Sequence, residues 1–209
     1  VTEASSVIIT SSDINFTDPD DSAQNVTFNI TLLSKGHITV NNSQSISFTG
    51  TDLSNGVVKF VHDGSESSTS SFSISVEDGN EDSTTAATQS ISISVIAVND
   101  APILTGDYSL TVIEGNSVTL TTSDLNYTDP DDTADSVIFT VSSLSRGTIS
   151  VSGSTSTTFS GTDLANGNVK FVHDDSETTS ASFNINVEDG NEDSSTPTNQ
   201  AFSITVTPV

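Results

Sequence analysis

The chain has no Cys, no Met and no Trp, and only 4 Lys plus Arg among its 209 residues. Without Cys it can form neither a disulfide framework nor a thiolate metal site, so it must be held by packing or by a metal with other ligands. Four cations cannot build the basic patch that phosphate neutralisation requires, which excludes nucleic acid as a partner. Anionic membrane surfaces are excluded on the same ground. No apolar run approaches the roughly 18 residues that cross a bilayer, so direct membrane insertion is not expected. The first residues, VTEASSVIIT, lack the regions of a signal peptide and read as the start of a piece of something longer.

Acid is what the chain has in excess. Its 28 Asp plus Glu give a formal charge of −24, and hydrophobic residues make up 32%. Low hydrophobicity with high charge is also the signature of disorder, but the apolar residues here are patterned. Residue n matches residue n + 111 without a gap from Val1/Val112 to Val98/Val209, with about 55 of the 98 pairs identical. Two copies of one domain are therefore expected, residues 1–98 and 99–209, the second opening with a connector from Asn99 to Thr111. Two copies suggest a longer array.

Within each copy apolar residues alternate with Ser and Thr, as in Val26-Thr27-Phe28-Asn29-Ile30 and Phe72-Ser73-Ile74-Ser75-Val76. Period-two runs rich in Val, Ile and Phe are the half-buried strand signal. About seven such runs per copy, separated by Gly, Asn, Asp or Ser clusters, predict an all-β chain of two sandwiches. One helical turn is expected at Thr51–Gly56. Phe28, Phe48, Phe60 and Phe72 and their copies read as core, and Gly50 and Gly56 as turn residues.

The acids are not dispersed over strand faces, as a purely solubilising coat would be. Three strings per copy carry most of them: DPDD at 18–21 and 129–132, HDxSE at 62–66 and 173–177, and EDGNED at 77–82 and 188–193. Two like charges at 4 Å repel by about 1 kcal/mol in water and several times that near protein. A hard divalent cation turns that cost into binding. Calcium takes carboxylate, Asn and backbone oxygens from loops that can bend, whereas magnesium prefers fewer protein ligands. Zinc has no Cys and only three scattered His to bind. The strings do not follow the EF-hand pattern.

In order, a first-strand Glu (Glu3, Glu114), DPDD, GTDLxNG, VKFVHDxSE, VEDGNED and the connector VNDAP resemble the cadherin-like repeat. The likeness is to the bacterial surface-adhesin type and the related chondroitin-sulfate-proteoglycan repeat, and it covers essentially all of each copy. It implies a seven-stranded Greek-key sandwich and calcium where consecutive repeats meet. The implied ligands are Glu3, Asp63 and Glu66 from the first copy, Asn99 and Asp100 from the connector, and Asp129, Asp131 and Asp189 from the second. Asp18, Asp20 and Asp78 imply a half-site facing a preceding repeat, and Glu114, Asp174 and Glu177 one facing a following repeat. The sequence departs from the family where Ala97 replaces an Asp and where Asp100 stands close to Pro102. A site within one copy, using Asn80 or Asp82, is the alternative.

Pro102 pushes its predecessor toward extended backbone, so the connector is a short stretched link and calcium is expected to stiffen it. Catalysis is not expected: there is no nucleophile elbow, phosphate loop or HExxH. The set His62-Asp63-x-Ser65 is poorly placed for a triad because neighbours on an extended chain point apart. The resulting expectation is a calcium-binding extender of a large extracellular adhesin. Its setting is a cell surface, and the absence of Cys favours a bacterial one. The alternative is a repeat that itself binds another copy of the adhesin or a surface polysaccharide, which would need an exposed apolar or aromatic patch.

Overall fold

Along the strand Thr27–Ser34, Phe28 and Ile30 are buried while Asn29 and Thr31 face out, and Phe139 and Val141 repeat that pattern in the second copy. The alternation read from sequence thus becomes one inward and one outward face per strand. In the computed structural model, which describes residues 1–79, 85–190 and 194–209, the chain divides into units Val1–Val98 and Asn99–Val209.

The first unit contains β1 (Ser6–Ile8), β2 (Thr27–Ser34), β3 (Gly36–Val40), β4 (Ser43–Gln44), β5 (Ser47–Thr49), α1 (Gly50–Ser54), β6 (Val58–His62), β7 (Thr69–Glu77) and β8 (Thr88–Ser94). They form two four-stranded sheets, β1-β6-β3-β4 and β5-β2-β7-β8. The strands exceed the seven expected because the two-residue β4 pairs as a strand of its own, with Val40 opposite Ser43. Ile9, Ile38, Val58 and Phe60 from one sheet side meet Phe28, Ile30, Phe48, Phe72 and Ile74 from the other in a single core. Phe28 stacks on Phe48 at 4.9 Å between centroids, and Phe16 meets Phe28 edge-on at 5.7 Å. Both geometries suit aromatic quadrupoles.

The second unit contains β9 (Ile103–Thr105), β10 (Ser109–Ile113), β11 (Ser117–Thr119), β12 (Asn126–Thr128), β13 (Ile138–Ser145), β14 (Gly147–Val151), β15 (Ser154–Thr155), β16 (Thr158–Ser160), α2 (Gly161–Ala165), β17 (Val169–His173), β18 (Ser180–Glu188) and β19 (Gln200–Thr207). Its sheets are β11-β17-β14-β15 and β10-β19-β18-β13-β16, with β12-β9 as a small ribbon. Phe183 and Phe202 stack at 4.5 Å within its core.

The expected helical turn is present in both units. Thr49 caps α1 in a reciprocal box with Asp52, and Ser160 and Asp163 do the same for α2. Gly56, at φ +67°, follows the cap and takes the left-handed conformation that ends the turn.

The opening strand of each unit changes sheets. In the second unit β10 runs parallel to β19, and the chain then pairs antiparallel with β17 through β11. In the first unit Thr2 bridges Ile96 in parallel before β1 pairs with β6. The turn between the two pairings falls at Ala4 (φ +50°) and Gly115 (φ +68°), one residue after Glu3 and Glu114. Among the described residues no helix is long and apolar enough to cross a membrane.

Candidate metal centre

The sheet switch buries a carboxylate in each unit: Glu3 and Glu114 are both 6% exposed. Val98 N–H donates to Glu3 Oε2 at 3.2 Å, and Glu3 Oε1 is buried and accepts no hydrogen bond. Val209 N–H likewise donates to Glu114 Oε2 at 3.4 Å. A buried carboxylate oxygen with no partner is costly unless a cation satisfies it.

A buried histidine ties each switch to the HDxSE loop. His62 Nδ1 accepts from Ala4 N–H at 3.4 Å and Gly64 N–H at 3.2 Å, and its Nε2 lies 3.3 Å from Ser67 Oγ. Two amides on Nδ1 assign the ring proton to Nε2. In the second unit His173 Nδ1 accepts from Gly115 N–H at 3.2 Å, and Nε2 lies 3.4 Å from Thr178 Oγ1. These rings are thus spoken for by backbone. Ser65 Oγ donates to Asp63 Oδ1 at 2.6 Å, so the sequence set that superficially resembled a hydrolase is a loop brace.

Asp63 and Asp174 are exposed on these loops. The Ser65 hydroxyl, and then its amide, hold the Asp63 carboxyl below its ordinary pKa; the Ser176 hydroxyl is the largest cause of the same shift at Asp174. Glu66 is exposed on the same loop as Asp63. In the second unit Glu114 and Glu177 line one cleft of about 500 Å³ together with Arg146.

The DPDD strings form tight Asx turns. Asp18 Oδ1 accepts the amides of Asp20 and Asp21, at 3.1 and 2.8 Å, and these two contacts, Asp21's the larger, lower its pKa. Asp129 Oδ1 accepts those of Asp131 and Asp132 at 2.9 and 2.8 Å. Such a turn brings its first and fourth residues to one side, as an i, i+3 relation does. Accordingly Asp18 and Asp21 gather with Asp78, and Asp129 and Asp132 with Asp189, each set having carboxylate oxygens within 4.8 Å of one another. Asp132 and Asp21 were not among the residues expected from sequence; Asp131 and Asp20, which were, are exposed.

Connector residues join the second set. Asn99 Nδ2 donates to Asp189 Oδ2 at 2.7 Å, and Asp100 N–H donates to Asp131 Oδ2 at 2.9 Å. Asp189 is 3% exposed, and Asp129 Oδ2 is buried without a hydrogen-bond partner. The Tyr127 hydroxyl reports on the same negative field: burial first, then the charges of Asp129 and Asp132, push its pKa up. Three carboxylates, one of them with an orphaned oxygen, and an adjacent carboxamide make an all-oxygen donor set, which fits calcium and lacks the Cys and His of the usual zinc site. The alternative ligands Asn80 and Asp82 lie outside the described residues.

A family model described as cadherin-like matches residues 1–95 and again residues 102–206. The chain belongs to the cadherin-like family. The human extracellular matrix organizing protein FRAS1 is 30% identical over 193 residues, which is 87% of this chain and 5% of that protein. Among solved structures, Drosophila N-cadherin EC1-4 aligns at a TM-score of 0.50 and 15% identity, over 94% of this chain and 47% of that one. Human CDH23 EC21-23 aligns at 0.47 and 18% identity, over 89% of this chain and 59% of that one. The cadherin-like chain therefore spans a small part of the curated relative, and its likeness to N-cadherin is one of fold.

Proposed function

We propose that this cadherin-like chain is a non-enzymatic, calcium-binding extender from an extracellular adhesion or matrix protein. The observation that carries the reading is the Asp129–Asp132–Asp189 set, with its orphaned buried oxygen and with Asn99 hydrogen-bonded to Asp189. An ion there is held partly by loops of the second repeat and partly by the connector. Binding fixes Asn99 and Asp100 against the sandwich and removes the repulsion among the acids, so it stiffens the link between repeats. Glu3, Asp63 and Glu66 are proposed as further calcium ligands contributed by the first repeat. The extracellular setting draws support from the printed identity of FRAS1 as an extracellular matrix organizing protein; a bacterial surface rests on the absence of Cys alone.

Adhesion by the repeats themselves, to another copy or to a polysaccharide, is the second reading. Leu32 and Ile46, at 82% and 77% exposure, favour it. Every Phe and Tyr, however, is buried or half-buried, so no aromatic platform for stacking a sugar is offered.

The test is a thermal melt and calcium titration of the whole chain, against the same chain carrying D129N. A ligand that binds only the folded state adds about 2.7 kcal/mol at a hundredfold excess over Kd. A higher Tm in calcium than in chelator, diminished in the variant, supports the proposal; an unchanged Tm contradicts it.

A further inference from the structure

Each sandwich has a corner where the chain passes directly from one sheet to the other. Ser45 N–H donates to Ile38 O on β3 at 3.0 Å, whereas the next residue, Ile46, offers its carbonyl to Ile30 N–H on β2 at 2.8 Å. Ser156 and Thr157 repeat the crossing with Ile149 O and Val141 N–H, at 3.0 and 2.8 Å. The crossing leads into β5 and β16, the terminal strands of their sheets.

A terminal strand presents the N–H and C=O of every second residue outward, ready to pair with another chain. Ile46 O and Gly50 N–H turn inward to β2, so the outward residues of β5 are Ser47 and Thr49. Side chains take up their edge groups. Ser45 Oγ donates to Ser47 O at 2.6 Å and accepts Ser47 N–H at 3.2 Å, and Thr49 N–H donates to Asp52 Oδ2 at 2.9 Å. In the second repeat Ser156 Oγ donates to Thr158 O at 2.7 Å and accepts Thr158 N–H at 3.2 Å, and Ser160 N–H donates to Asp163 Oδ2 at 3.2 Å. In both repeats one hydroxyl thus occupies the donor and the acceptor of the residue two places on.

Charge, the usual guard of an exposed strand edge, is missing here. Residues 40–51 and 151–162 carry no charged side chain, in a chain of net charge −24. In the first repeat Ile46 is 77% exposed, and Leu32, two residues on from its partner Ile30, is 82% exposed. Thr157 and Ser143 hold those places in the second repeat. Without its hydroxyl cap, the first-repeat edge is uncharged, flanked by apolar side chains and open to backbone pairing. Two chains this acidic could meet there without opposing like charges.

We propose that Ser45 and Ser156 are edge caps, whose hydroxyls keep β5 and β16 from pairing with the same edge of a second copy of this chain. The excluded partner is a second copy because antiparallel pairing of two such edges about a two-fold axis sets uncharged residues against uncharged residues throughout. The apolar pair Leu32 and Ile46 is present, but the edge beside it is closed.

The test is sedimentation equilibrium of the whole chain in chelator, so that the outcome is independent of calcium. The unaltered chain is compared with S45A, S45T, S156A and S45A/I46K. S45A should self-associate with a constant raised at least about tenfold over the unaltered chain, and S45T, which keeps a hydroxyl, should not. S156A should gain less than S45A, because Thr157 and Ser143 flank that edge. I46K in the S45A background should abolish the gain, since charge then guards the edge that the hydroxyl no longer caps. Association of S45A that persists with I46K would arise from unfolding and would overturn the proposal. So would S45A sedimenting like the unaltered chain, or S45T associating as strongly as S45A.

Discussion

Asn99, the first residue of the connector, donates its carboxamide N–H to Asp189 Oδ2 at 2.7 Å. One bond therefore links the connector to the most buried acid of the carboxylate set, which is 3% exposed. Whatever neutralises Asp189 acts on the connector as well, and the proposed calcium-controlled stiffness rests on this coupling.

Changing Asp189 to Asn keeps the shape and removes one charge from the set. Calcium affinity depends on the number of charged ligands, so calorimetric titration of D189N should show affinity weakened by about tenfold or more. The same substitution at Asp107, whose carboxylate among the described residues accepts from Ser109 alone, should leave calcium affinity unchanged.

His62 is a positioning residue for the loop that carries Asp63 and Glu66. Replacing it with Phe preserves bulk but leaves the amides of Ala4 and Gly64 without their acceptor. Ala4 is exposed and Gly64 half-buried, so water can take up part of the loss of about 1–3 kcal/mol that a fully buried unsatisfied donor costs. H62F should accordingly lower the unfolding free energy in chelator by about 1 kcal/mol, the low end of that cost, measured by denaturant melts.

Gly36 and its counterpart Gly147 admit a close approach of strands. A Cβ at Gly36 would lie 2.3 Å from Val61 O and 2.6 Å from Phe60 Cζ; at Gly147 it would lie 2.5 Å from both Phe171 Cζ and Val172 O. Backbone cannot yield cheaply, so G36A and G147A should each destabilise the protein by about 1–3 kcal/mol in equilibrium unfolding.

Acid should weaken the fold in chelator through turn and helix caps. The Thr10 amide, then its hydroxyl, lowers the Asp13 pKa, and the Ser160 amide is the largest cause of the lowering at Asp163. A carboxyl lowered on folding stabilises the native state above its unfolded value, and that stability is lost as pH falls through it toward the folded value. Melts should therefore show stability declining below about pH 4. Replacing both residues with Asn should flatten this decline; an unaltered slope would contradict the assignment.

The strand pattern was legible because Phe, Ile and Val alternate with Ser, Thr and Asn, and period two leaves no other element to bury them. The turn expected at Thr51–Gly56 was legible, but its Thr49–Asp52 capping pair emerged only from the structure. Less visible was the sheet switch, since Ala4 carries no sign of a positive φ and only the Gly at position 115 in the other copy hints at it. The bulges, where register shifts between Thr31 and Ser34 and between Ser142 and Ser145, are equally silent, with Leu32 and Ser143 at positive φ. That Asp21 and Asp132 gather with Asp78 and Asp189 follows from the Asx turn, whose hydrogen bonds fix which acids share a side; a string of letters carries no such phase. The clamp at His62 and His173 was legible only as a duplicated residue beside acids.

The most direct test of the account is backbone relaxation of the connector amides, Asn99 to Ile103 (Pro102 having none), in millimolar calcium and in chelator. Calcium held by Asp129, Asp132 and Asp189 should raise the order parameters of Asn99 and Asp100 toward those of the neighbouring strands, and D189N should diminish the rise. Connector amides equally ordered, or equally disordered, under both conditions would contradict calcium-controlled stiffness.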